Sequence, residues 1–95
     1  MINRDRATIL LIEEDDATRT FLADHLTADG YDMLVADGVR EGLRHLETSY
    51  PDLALVDVEL SDSSGLDLLS HVRESDGVAS RIDPQVPVLL LAREY

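Results

Sequence analysis

The chain has 95 residues, 44% of them apolar and 29% charged, with no cysteine, no tryptophan and a formal charge of -12. That length suits one small domain that buries only somewhat more than about 60% of its unfolded surface, so every element matters to the core. The absence of cysteine excludes a disulfide framework and a thiolate zinc site.

The apolar runs Ile9 to Ile12 and Val86 to Ala92, the latter broken by Pro87, are far shorter than the roughly 20 residues that span a bilayer. Arg4 and Arg6 precede too short an apolar run for a secretory signal, so a cytoplasmic location and no membrane partner are expected. All 8 basic residues are Arg, against 20 acids. That balance repels phosphate backbones and argues against direct nucleic-acid binding.

In chain order, Thr8 to Ile12 (TILLI) is a continuous apolar run too short for a helix and is read as a buried strand. Ala17, Phe21, Leu22 and Leu26 recur at helical spacing over Ala17 to Ala28, with Asp15 or Asp16 as N-cap and Gly30 just beyond the end. Met33 to Ala36 predicts a second strand, and Asp37 is placed to cap a helix carrying Val39, Leu43 and Leu46. Pro51 stops that helix, and Leu53 to Val56 predicts a third strand ending at Asp57. The stretch Ser61 to Gly65 has turn chemistry; Ser64 and Asp67 have capping-box spacing, and Leu66, Leu69 and Val72 form the apolar stripe of a third helix. A long connection from Ser75 to Gln85 leads to a fourth strand over Val86 to Leu91.

Strands alternating with helices predict right-handed crossovers and an α/β fold with a mostly parallel sheet covered on both faces. In such sheets the reactive crevice lies beyond the carboxyl ends of the strands, which is where Glu13, Glu14 and Asp57 fall. In the flavodoxin-like strand order, strands one and three are neighbours. Carboxylates gathered there repel one another unless a hard cation such as Mg²⁺ takes up the charge, so weak Mg²⁺ binding is expected. Taken singly, each acid reads as a solvated loop residue or helix cap; the combination with Asp57 does not.

The segments LLIEEDDATRTFLADHL and PDLALVDVELSDSSGLDLL resemble the receiver domain of two-component response regulators, and the resemblance runs from Ile9 to about Ala92. It implies a flavodoxin-like, three-layer sandwich with sheet order 2-1-3-4. It also implies a single receiver domain over residues 1–95 that stops before the family's fifth strand and last helices. Position by position, Glu13 and Glu14 match the family's acidic pair, Asp57 the aspartate that accepts a phosphoryl group, and Glu59 the residue whose backbone carbonyl completes the metal site. Gly65 matches the glycine of the following loop. The implied function is phosphorelay signalling, with a sensor histidine kinase as phosphodonor, an output domain in a longer parent, and no enzymatic activity beyond self-phosphorylation and self-dephosphorylation. An aspartate carboxylate is a competent nucleophile, and the protein's part in phosphoryl transfer is mainly positioning and charge compensation.

Four departures from the family pattern stand out. Glu14 replaces the usual Asp, Ser61 replaces a common proline, and Ala92 stands where a Thr or Ser contacts the phosphoryl group. No Lys is present to pair with the phosphoryl group, and neither Arg19 nor Arg93 matches its position. Of these, Glu14, Ala92 and the missing Lys support an alternative, a degenerate pseudo-receiver that binds partners independently of phosphorylation. A haloacid-dehalogenase-type enzyme fits poorly, because Asp57-Val58-Glu59 lies on the third strand rather than the first. His25, His45 and His71, like Arg40, Arg44 and Arg73, read as solvated helix faces with no role. If the sheet ends at strand four, its unpaired edge and Val88 to Leu91 favour self-association.

Overall fold

The computed structural model describes residues 6–75 and 81–92. Its elements alternate as β1 (Thr8–Ile12), α1 (Asp16–Ala28), β2 (Asp32–Ala36), α2 (Val39–Thr48), β3 (Leu53–Asp57), α3 (Gly65–Arg73) and β4 (Val88–Leu91). The strands form one 4-stranded sheet, order β2-β1-β3-β4, and all three pairings are parallel. This is the expected flavodoxin-like topology. It follows from apolar runs too short to be helices, each returned to the sheet by an amphipathic helix.

Alternation along the strands divides the core. Leu10, Ile12, Ala36, Ala54 and Val56 point to one face, where they cluster with Val39 and Leu46 of α2 and Leu68 and Val72 of α3. Ile9 and Leu11 are also buried but stand outside that cluster, on the face where α1 packs over β1 and β2. Leu89 shares that second face and is 50% exposed, whereas Val88 and Leu90 pack against the first-face cluster. Of the strand-four residues expected to be uncovered, Leu89 is therefore the exposed one.

Helix ends follow local chemistry in part. The Asp15 carboxylate caps α1 by accepting from the Thr18 backbone N–H at 2.8 Å. Gly30 takes up the left-handed turn beyond the helix with φ 100°. Ser64 and Asp67 form the expected capping box of α3.

The structure corrects four sequence expectations. Asp37 does not cap α2; the N-cap is Gly38, which has no side chain to offer, and the cap comes from Asp62, far along the chain. Leu66 and Phe21 belong to the expected apolar stripes of α3 and α1 but are 56% and 60% exposed, and Leu68 takes the core position in α3. The fourth strand begins at Val88, because Pro87 has no N–H to give to the ladder, although its carbonyl accepts from the Ala54 N–H at 2.9 Å. Arg73 is no idle surface cation: its guanidinium donates to the backbone carbonyls of Pro84 and Val86 at 2.9 and 2.7 Å. The same connection has left-handed backbone at Arg81 (φ 62°) and buries Ile82 and Val86 in the core.

Candidate functional site

Strand register sets the site. Ile12 pairs with Val56, and Asp57 pairs with Leu91, so Glu13, Asp57 and Ala92 emerge together at the carboxyl edge of three adjacent strands. The ladder continues past the strand ends: the Glu13 N–H donates to the Ala36 carbonyl at 3.0 Å and the Val58 N–H to the Leu91 carbonyl at 3.1 Å. Glu13 and Asp57 are the two buried acids of the described residues, each 4% exposed. They line one cavity of about 110 Å³ with Thr18, Leu91 and Ala92.

Local bonds hold Asp57 in place. The Glu59 backbone N–H donates to Asp57 Oδ1 at 2.9 Å, so Glu59 enters the site through its main chain while its side chain is exposed. The loop closes when Glu59 bridges Ser64 and the Gly65 N–H donates to the Val58 carbonyl at 3.2 Å. A Cβ at Gly65 would lie 2.6 Å from the Asp57 carbonyl oxygen, so only glycine lets α3 begin this close to the acid.

Glu14 goes elsewhere. It is exposed, its Oε1 accepts a hydrogen bond from the Ser61 hydroxyl, and with Asp16, Asp37, Gly38, Ser61 and Asp62 it lines a separate cavity of about 240 Å³. The structure thus brings Glu13 and Asp57 together and leaves Glu14 outside their cavity. Among the described residues no three His, Asp or Glu side chains converge as a metal-holding group.

Asp62 anchors the same loop. Its Oδ1 and Oδ2 accept from the Val39 and Arg40 backbone N–H groups at 3.1 and 3.2 Å. The Val39 N–H bond is the main cause that holds the Asp62 carboxyl below its ordinary value; the Arg40 N–H and the Arg40 charge add to it, and desolvation opposes it.

Arg19 is committed to the β1–α1 loop. It donates to the Glu13 carbonyl at 2.9 Å and the Glu14 carbonyl at 3.3 Å and pairs with Asp16, and it does not line the Asp57 cavity. Arg93 lies outside the described residues. Of the histidines, His25 stacks at a tilt on Phe21, and none lines either acidic cavity. Sequence reading missed three contributors: Thr18 as a cavity wall, Ser61 as the partner of Glu14, and Asp62 as the cap of α2. Thr18 was foreseeable from its place in the first turn after the acids; the other two are contacts between distant segments.

A family model described as response regulator receiver domain matches residues 9–94. Among curated proteins, the transcriptional regulatory protein AfsQ1 of Streptomyces coelicolor is 36% identical over 84 residues, covering 88% of this chain and 34% of that protein. The CAI-1 autoinducer sensor kinase/phosphatase CqsS of Vibrio cholerae is 32% identical over 74 residues, covering 78% of this chain and 11% of that protein. The chain thus spans about a third or less of these relatives' lengths. Among solved structures, the N-terminal domain of a response regulator receiver protein from Methanoculleus marisnigri superposes with a TM-score of 0.84 at 24% identity, covering 93% of this chain and 68% of that one.

Proposed function

The chain belongs to the response regulator receiver domain family, and from that premise we propose that it accepts a phosphoryl group on Asp57 from the phosphohistidine of a sensor histidine kinase. The observation that carries this reading is the burial of Asp57 beside Glu13 in one cavity at the end of β3. In the step, a carboxylate oxygen of Asp57 forms a P–O bond as the donor's P–N bond breaks, and the departing imidazole takes up a proton. The Glu59 N–H on Oδ1 orients the carboxylate, and the β3–α3 turn around Gly65 keeps the nucleophile at the cavity mouth. The role is that of a phosphoacceptor, with no enzymatic activity beyond self-phosphorylation and self-dephosphorylation.

Two buried carboxylates on one cavity are a donor set that suits a hard cation, and Glu13, Asp57 and the Glu59 carbonyl, with recruitment of Glu14, are the residues that would hold Mg²⁺. Bound there, Mg²⁺ supplies positive charge that lowers repulsion between the incoming phosphoryl group and the carboxylates. The proposed setting is cytoplasmic; among the described residues no helix is long and apolar enough to cross a membrane. An output domain in a longer parent and self-association complete the proposed partners.

Intact-mass measurement after treatment with Mg²⁺ and acetyl phosphate tests the assignment. One covalent adduct, labile at alkaline pH and absent from Asp57→Asn, is the expected result; an adduct that survives Asp57→Asn moves the acceptor elsewhere. A second reading, a pseudo-receiver that binds partners without phosphorylation, is favoured by two observations: Ala92, which has no hydroxyl, lines the cavity, and Glu14 lies outside it. Absence of any adduct across a wide Mg²⁺ range selects that reading.

A further inference from the structure

Two of the positions at which the chain departs from its family's pattern touch each other. The Ser61 hydroxyl donates to the Glu14 carboxylate, which joins the β3–α3 loop to the β1–α1 loop across 47 residues of sequence. We infer that Ser61 is a latch on Glu14: it holds that carboxylate over the outer acidic cavity, and a divalent cation entering between Glu13 and Asp57 gains Glu14 as a ligand only by breaking the Ser61 bond. This deepens the proposed function and rests on its reading that the cation binds at Asp57.

Three observations support the latch. Glu14 and Ser61 line one cavity, and Glu13 and Asp57 line another. The loop that presents Ser61 is itself anchored, because the neighbouring Asp62 carboxylate is bound to the Val39 and Arg40 N–H groups at the start of α2. Closeness at Gly38 keeps that anchor tight, since a Cβ there would lie 2.8 Å from Asp62 Oδ2. The longer reach of Glu over Asp, by about one methylene, lets the carboxylate meet the serine hydroxyl. A proline at position 61 would have no hydroxyl to offer. Ser61 is therefore a positioning residue, acting on the metal site through Glu14.

The test compares the full 95-residue wild type, Ser61→Ala and Ser61→Thr. Mg²⁺ is titrated while the Asp57 and Leu91 amides are followed by NMR, and Glu14 side-chain couplings are measured separately in EDTA. Ser61→Ala is expected to bind Mg²⁺ about threefold to tenfold more tightly, the scale of one ordinary intramolecular hydrogen bond. Its metal-free Glu14 couplings should show rotamer averaging that wild type lacks, and Ser61→Thr, which keeps the hydroxyl, should follow wild type in both measurements. Equal or weaker Mg²⁺ binding by Ser61→Ala with shifts still centred on Asp57 overturns the latch and leaves the proposed metal site standing. Averaged Glu14 couplings already in wild type also overturn the latch. No Mg²⁺-dependent shift at Asp57 in any of the three chains overturns the metal reading itself, and the latch with it.

Discussion

Two acidic cavities lie side by side on the carboxyl edge of the sheet, and they are built in different ways. The inner one takes its acids, Glu13 and Asp57, from the ends of adjacent strands; both are buried, and the backbone around them is tied into the sheet's own hydrogen bonds. The outer one, with Glu14, Asp16, Asp37 and Asp62, is assembled from exposed loops that side-chain bonds connect across long stretches of sequence. Acids on strand ends are placed by the same register that forms the core, whereas acids on loops are placed by whichever polar partner the fold brings near. Disturbing the inner cavity should therefore damage the fold, and disturbing the outer one should mainly change how the loops are tethered.

Two glycines sharpen that contrast most. At Gly65 an added Cβ meets backbone, the Asp57 carbonyl oxygen at 2.6 Å and the Val58 Cα at 3.0 Å. Backbone in the sheet cannot yield, so Gly65→Ala should destabilise the chain by about 1–3 kcal/mol in urea unfolding and shift the Asp57 amide resonance. At Gly38 the Cβ meets only the Asp62 carboxylate, the end of an exposed side chain that can turn aside without moving backbone. Gly38→Ala should thus cost about 1 kcal/mol or less, through weakening of the α2 cap. Equal losses at the two sites would break the distinction between a rigid and a yielding cavity.

Asp62 makes the next largest difference. Asp62→Ala leaves the Val39 and Arg40 N–H groups without their carboxylate partner and should lower stability by about 0.5–2 kcal/mol. The low end of that range is the better guide, because the group is exposed and screened. Its carboxyl is held below its ordinary value of 3.8, so the cap contributes fully above that pH. The contribution is lost as pH falls further, through the depressed folded-state value, and Asp62 protonates. Urea midpoints measured through the acid range should accordingly fall less steeply for Asp62→Asn than for wild type, provided both stay two-state.

The smallest effect should come from Glu59. Its backbone N–H serves Asp57 and its side chain is exposed, so Glu59→Ala should change stability by no more than about 0.5 kcal/mol and leave adduct formation with acetyl phosphate intact. A large loss on mass analysis would mean that the Glu59 carboxylate itself belongs to the inner cavity.

Much of this layout could be read before any coordinates. TILLI and LALV state their own burial, because apolar runs of that length, bounded by polar residues, have no other way to leave water. The capping box at Ser64 and Asp67 and the cap at Asp15 are local, within a few residues of the N–H groups they serve, and were legible for the same reason. Helix faces were less so. Ala17, Phe21, Leu22 and Leu26 share helical spacing, yet α1 buries none of its residues fully and turns Phe21 to solvent. Spacing defines a stripe and cannot say where its centre meets the sheet.

The sequence by itself determined the α/β alternation, the parallel crossovers and the arrival of Glu13 and Asp57 at one edge, because strand periodicity and crossover handedness leave few other arrangements. Only the tertiary structure decided that Glu14 parts from that pair, that Asp62 rather than Asp37 caps α2, and that Arg73 ties down the Pro84 and Val86 carbonyls ahead of β4. Each of those outcomes depends on a polar group finding a partner distant in sequence. Such a choice is made by the positions of already packed elements, and local spacing along the chain carries no record of it.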